Sequence, residues 1–340
     1  MALLKRKIST REMVPLCRQL ATSYDAGIPI LKGLQLLERG ATSATTRNLL
    51  RTMREEIQSG STLADAARAR REQLPEFFVE LLASGERGGK LDAMLRDLAD
   101  YYEDRLKFNR AIMGAMAYPV FLLTVAWFLG SFSIGLVSQI SFDARSAFSL
   151  GDYLDQWLRF QGLALLVAAA ILAGLWALGR TGLPQRALGL LSTRLWPFSQ
   201  VTRKYALSRF FRSFALLVGA GVNIKHCIYQ AALTAGNPVI RDDLLRALPV
   251  VAQGGTLQEA FARCATLTPV SREMLAVGEA TGNLEFQMRK VSEYHFEEAQ
   301  LATKVALRLL NILLILVVGG VVGATVIGFY AKLFSLGDSI

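Results

Sequence analysis

Chemistry-bearing side chains are scarce in this chain. It has two histidines, His226 and His295, and three cysteines, Cys17, Cys227 and Cys264, among 340 residues. No Cys-x-x-Cys or His-x-x-x-His spacing occurs, and a metal site needs several such ligands at close spacing. His226 and Cys227 adjoin on one helix but point to different faces, so the cysteines read as reduced packing residues. Gly85-Glu86-Arg87-Gly88-Gly89-Lys90 faintly suggests a phosphate loop. It is one residue short, ends in Leu91 where a hydroxyl should hold magnesium, and follows no strand. A later copy of the phrase, Gly278 to Asn283, lacks the lysine. We therefore expect no catalytic residue, no cofactor and no metal. Alternating strand patterns are missing as well, which leaves an all-α chain.

Charge is the next absence. None occurs between Arg110 and Asp143, between Arg159 and Arg180, or between Arg308 and Lys332. About 20 apolar residues suffice for a helix to cross a hydrocarbon core of roughly 30 Å, so three transmembrane helices are expected over 111–137, 160–179 and 309–331. These spans hold no Asp, Glu, Lys, Arg or His, which argues against an ion or proton path. Their polar or helix-perturbing members are Tyr118, Pro119, Gln139 and Asn311, and Gly319, Gly320 and Gly323 permit close helix approach. Of the 38 basic residues, 35 fall in 1–110 and 180–308. The positive-inside rule places both regions in the cytoplasm. The loop 138–159 and the tail 332–340 are then periplasmic. No apolar signal core follows Met1-Ala-Leu-Leu-Lys5-Arg6-Lys7, so the amino terminus is expected in the cytoplasm.

What the chain does contain is a duplication. Ala83 to Leu91 and Ala276 to Leu284 both read A-x-G-E-x-x-G-x-L. Upstream, Ala26-Gly27-Ile28-Pro29-Ile30 pairs with Ala220-Gly221-Val222-Asn223-Ile224, and Gly60 to Ala66 pairs with Gly254 to Ala260. The offsets are 194, 194 and 193 in chain order, each read by subtraction (26 from 220, 63 from 257, 85 from 278). Three collinear matches at nearly constant offset define two repeats, helical module 1 over 1–110 and helical module 2 over 180–308. The middle span returns the chain, so the two modules run parallel on one side.

Each module reads as about six helices separated by glycine or proline. In module 1 an apolar stretch from Val14 to Ala26 stops at Gly27, and Pro29 suits the opening of the next helix. A third helix runs over about 45–59. Thr62…Asp65 and Thr256…Glu259 match a helix-start pattern in which the hydroxyl caps amides and the acid reaches back. A helix from Pro75 is expected to break at Gly85, and a long one starts at Leu91 and runs into the first span. Such continuity suggests that movement of the module is transmitted to the membrane helix.

The stretch from Arg180 to Lys225 is basic, with Trp196 and Phe198 interleaved. It follows a span directly, and juxtamembrane basic residues are drawn to anionic lipid by about 1 kcal/mol each. Arg180, Arg186, Arg194, Arg203 and Lys204 are therefore expected to face lipid, and no nucleic-acid partner is expected.

These paired motifs, together with Tyr118-Pro119 early in the first span, resemble the type II secretion F family. Its members are the polytopic inner-membrane platform proteins of type IV pilus and type II secretion machines. Asn223 departs from the pattern where module 1 has Pro29. The first module begins close to Met1, which suggests the compact members of type IVb-pilus-like or competence systems. The resemblance implies a non-enzymatic platform that couples a cytoplasmic hexameric ATPase to the extraction and polymerisation of pilin or pseudopilin subunits. It also implies other inner-membrane assembly proteins as partners, and homo-oligomers. The motif residues carried over are Gly85, Glu86, Gly89 and Leu91, with Gly278, Glu279, Gly282 and Leu284. Glycines and leucines suit turns and core, and the two glutamates are candidates for intermodule or partner contact. Rival functions are a permease component and a membrane signalling scaffold.

Overall fold

A computed structural model describes residues 8–139, 150–179, 193, 196 and 198–337. Among these residues every regular element is helical. Two compact units form, one from residues 1–111 and 192–302, the other from 112–191 and 303–340.

The first unit holds both repeats. Module 1 comprises α1 (Thr10–Asp25), α2 (Ile30–Gly40), α3 (Ala44–Gln58), α4 (Leu63–Ala69), α5 (Glu76–Arg87) and the start of α6 (Leu91–Gln139). Module 2 repeats the order with α8 (Phe198–Gly219), α9 (Ile224–Thr234), α10 (Pro238–Leu244), α11 (Leu248–Ala252), α12 (Leu257–Ala262), α13 (Pro269–Thr281) and the start of α14 (Leu284–Gly337). The extra helix arises because the 15-residue α3 has a broken counterpart. A 3₁₀ turn, Leu245–Ala247, separates α10 from α11, and Pro249 sits at the second position of α11. Proline has no N–H and its ring strikes the carbonyl four residues back, which disfavours one continuous helix there.

Where the helices stop follows the duplicated glycines. Gly27 and Gly221 adopt φ of 71° and 74°, left-handed backbone that costs L-residues about 1 kcal/mol or more. Pro29 is the cap of α2, one position before its first helical residue. Asn223 replaces it with a side-chain cap, accepting the Lys225 N–H at 3.0 Å. One departure from expectation stands out. Helix α5 does not break at Gly85; it continues to Arg87, and Gly85 is buried inside it.

Both modules feed one apolar core. Leu81, Leu82, Leu95 and Leu98 of module 1 and Phe210, Phe211, Phe214 and Phe261 of module 2 are essentially inaccessible to solvent. Fully burying each such side chain contributes about 1.5–3 kcal/mol, so the core keeps the two repeats in one unit. The three cysteines are buried and free. Burial pushes the thiols of Cys227 and Cys264 up to about 12 and that of Cys17 higher, so they stay protonated and inert.

The second unit contains α7 (Leu150–Gly179) with the carboxyl-terminal parts of α6 and α14. Helices α6 and α14 are long and apolar enough to cross a membrane, over Leu91–Phe132 and Leu284–Ala331. The segment 160–179 lies within α7, which starts ten residues earlier at Leu150.

Candidate functional site

The paired motifs meet in space, and the meeting point is the amino terminus of a short helix. The first four amides of any helix lack an internal partner, and α4, with seven residues, is too short to persist unaided. Thr62 Oγ1 accepts the Asp65 N–H at 3.1 Å. The Glu86 carboxylate, 22 or 23 residues further along the chain, accepts the Leu63 N–H at 3.0 Å and the Ala64 N–H at 2.9 Å. The hydroxyl and the carboxylate thereby satisfy the first three amides of α4. Module 2 repeats this arrangement. Thr256 Oγ1 accepts from Glu259 N–H at 3.1 Å, and Glu279 accepts from Leu257 at 2.8 Å and Gln258 at 3.3 Å. Glu259 also reaches back to the Thr256 N–H at 3.2 Å, closing the box that Asp65 leaves open by pairing with Arg68 at 2.7 Å. A hydrogen bond to a charged group contributes about 1.5–3 kcal/mol net, and the helix dipole favours an anion at this end.

The motif glycines have two distinct tasks. A Cβ on Gly85 would lie 2.8 Å from Met94 Cγ and 3.3 Å from Leu91 Cα, and one on Gly278 would lie 3.1 Å from Leu284 Cα. These glycines let α5 and α13 touch the start of the following long helix. Gly89 and Gly282, with φ of 64° and 67°, make the turn between. Leu91 is buried and Leu284 half-buried behind them. Each carboxylate's hydrogen bonds stay within its own module, so the motif acts on module shape.

The modules meet elsewhere. Ser84 Oγ donates to the Ala220 carbonyl, and a Glu80 carboxylate oxygen lies 3.4 Å from His226 Nε2. Nearby, burial raises the carboxyl of Asp97 above the usual range, opposed by the charges of Arg289 and Arg212. A cavity of about 110 Å³ has Tyr101 and Arg105 of α6 and Arg209 and Arg212 of α8 among its lining residues. Burial, and then Arg105, hold the Arg209 guanidinium below its ordinary value.

A serine–histidine pair also appears, which the sequence reading missed. Ser271 Oγ lies 2.6 Å from His295 Nε2, the spacing of a nucleophile and its base. Both side chains are fully buried, His295 Nδ1 has no hydrogen-bond partner among the described residues, and burial lowers the imidazole pKa to about 4. Substrate cannot reach the pair, and no acid orients the ring. The pair instead fixes the start of α13, where Thr268 Oγ1 accepts the Ser271 N–H at 3.3 Å.

The remaining singled-out residues separate. Arg203 donates to the carbonyls of Thr266, Ala265 and Leu267 at 2.7, 2.9 and 3.4 Å, and Lys204 pairs with Glu298 at 3.3 Å. Arg180, Arg186 and Arg194 lie outside the described residues. Tyr118 is exposed, Pro119 buried within α6, and the Asn311 side-chain carbonyl unpartnered among the described residues. In the second unit Gln161 was overlooked. Its amide accepts from Trp127 Nε1 at 2.8 Å and donates to Ser131 Oγ at 2.7 Å, and Trp157 Nε1 donates to the same hydroxyl at 3.1 Å. The signal was available: Gln161 is the one amide in an otherwise apolar run.

Two helical modules, each leading into a helix long and apolar enough to span a bilayer, define a duplicated all-α membrane protein. The chain belongs to the type II secretion system protein F family, whose model matches residues 16–138 and again 210–331, one match per repeat. Among its relatives are type IV pilus assembly protein PilC of Thermus thermophilus, 31% identical over 98% of this chain and 84% of the relative, and PilC of Myxococcus xanthus, 27% identical over 98% and 82%. Type II secretion system protein F of Pseudomonas aeruginosa is 26% identical over 98% and 85%.

Proposed function

We propose that the chain is a non-enzymatic inner-membrane platform of a type IV pilus assembly machine. It couples a cytoplasmic hexameric ATPase to the extraction and polymerisation of pilin, with other inner-membrane assembly proteins and anionic lipid around it. The observation that carries this reading is similarity to pilus assembly proteins along nearly the whole chain, with 31% identity in the Thermus relative. A type II secretion platform, acting on pseudopilins, is the second reading, favoured by the 26% identity to the Pseudomonas secretion protein.

The topology proposed with it has spans at 111–137, 160–179 and 309–331. Modules 1–110 and 180–308 lie in the cytoplasm with the amino terminus, and 138–159 and 332–340 in the periplasm. Continuous helices α6 and α14 support a mechanical role, because each module ends in a helix with no glycine or proline joint before its apolar part. In this reading the motif residues Gly85, Glu86, Gly89 and Leu91, and Gly278, Glu279, Gly282 and Leu284, hold the shape of the surfaces that the ATPase engages.

The test is a crosslinked pull-down from detergent-solubilised membranes with the full chain as bait. Recovery of a hexameric secretion-type ATPase with pilin supports the pilus platform, and recovery with pseudopilins selects the secretion reading. Absence of any such ATPase refutes both.

A further inference from the structure

The contact between the modules is not symmetric, and each module therefore has an unused half. Module 1 offers one face of α5, and module 2 receives it on the α8–α9 corner. On α5, Phe77, Glu80 and Ser84 share a helical face. Ser84 bonds the Ala220 carbonyl, Glu80 approaches His226, and Phe77 and Ser84 are buried.

Shifting α5 by the repeat offset of 193 lands on α13, where the same face reads Val270, Glu273 and Val277. Val270 is 36% exposed and Val277 43% exposed, and Glu273 is exposed. Shifting the receiving corner back by 194 turns Ala220 and His226 into Ala26 and Lys32, both exposed. One turn beyond His226, Gln230 is fully buried, whereas its counterpart Leu36 is 49% exposed. Among the described residues neither Glu273 nor Lys32 has an ion pair. The sign pattern of the internal contact is kept, with the acid on the donating face and the base on the receiving one.

We infer that a second copy of this chain docks head to tail. The α13 face of one copy seats on the α1–α2 corner of the next, with Glu273 opposite Lys32, repeating between chains the contact that α5 makes with α8–α9 within each chain. Opposite charges at a rim set register and partner orientation, and the valines supply apolar area. A head-to-tail contact is heterologous, so copies close into a ring if the rotation permits and otherwise extend. The surface does not depend on the pilus reading.

The experiment uses the full chain in native membranes. With Lys32→Cys in one tagged copy and Glu273→Cys in another, a short crosslinker should yield a mixed dimer; a single chain carrying both should yield higher multiples. Neither single variant alone should crosslink to itself. Glu273→Lys and Lys32→Glu should each lower the recovered oligomer roughly tenfold, and the two combined should restore it. Both positions are exposed, so the melting temperature of solubilised protein should not move, which separates docking from misfolding. No mixed crosslink, self-crosslinking of either single variant, or charge reversals without effect on oligomer size would overturn the proposal. Piliation scored in the same cells separates the two ideas. A crosslinked but non-piliating strain retains the surface and removes the pilus reading.

Discussion

In module 1, Arg18 bridges α1 to α6, reaching Asp100 at 2.8 Å and Glu103 at 2.7 Å. The counterpart positions in module 2 are Arg212, Glu293 and Phe296, and Glu293 pairs with Lys290 at 3.0 Å. Pro15 of α1 is matched by Arg209 of α8, and Tyr102 of α6 by His295 of α14. Yet Thr62 and Glu86 are matched by Thr256 and Glu279 with the same three acceptor contacts, and Gly85 and Gly89 by Gly278 and Gly282. The two copies agree where a backbone demand must be met and differ at these side-chain positions. Caps and tight turns have few chemical solutions, whereas core positions accept many side chains of suitable volume.

Acid should divide the copies most strongly. His295 is neutral and buried, and its folded pKa of about 4 lies below the 6.5 of an unperturbed imidazole. The unfolded chain takes up the proton first, so the contribution is complete above about pH 6.5 and is lost as pH falls toward 4. The loss should reach about 3 kcal/mol. Hydrogen exchange resolved by peptide should show α13 and α14 opening in this window while α5 and α6, with Tyr102, do not. His295→Phe should abolish the difference.

Close approach comes next. Gly85→Ala should cost about 2–3 kcal/mol, since Met94 and the Leu91 backbone leave no room, and Gly278→Ala about 1–2 kcal/mol, since its contacts begin at 3.0 Å. Denaturant unfolding of the solubilised chain gives both; equal costs would deny the asymmetry. For the carboxylate caps, Glu86→Ala should cost about 2 kcal/mol and the more exposed Glu279→Ala about 1 kcal/mol, with exchange rising first in α4 and α12 respectively. Changes confined to partner binding, with α4 and α12 still protected, would make these glutamates contact residues. Smallest and most equal are Gly89→Ala and Gly282→Ala, about 1 kcal/mol each, because both must adopt left-handed backbone.

Much of this was readable in the sequence. Hydrophobic length marked α6 and α14, and glycine after an apolar period marked the end of α1. A threonine with an acid three residues on marked the starts of α4 and α12. The glycine and threonine signals are local, since each lies within about one helical turn of the feature it reports. Others lay beyond that reach. Pro249 was not recognised as splitting the third helix of module 2. Gly85 is a close contact within a helix and not its end, and nothing in the string reports the approach of Met94.

The sequence by itself determined that the chain is helical, duplicated and apolar enough to enter a membrane, because periodicity, offset and composition are properties of the string. Only the tertiary structure decided what the repeated glutamates bond to. Glu86 and Glu279 cap helices that begin 23 and 22 residues before them, and such a contact exists only once the chain has folded back on itself. It also decided that Ser271 and His295 form a buried pair, and that one module's α5 is covered while its twin α13 is not. Burial is set by what packs from elsewhere in the chain, which no local pattern encodes.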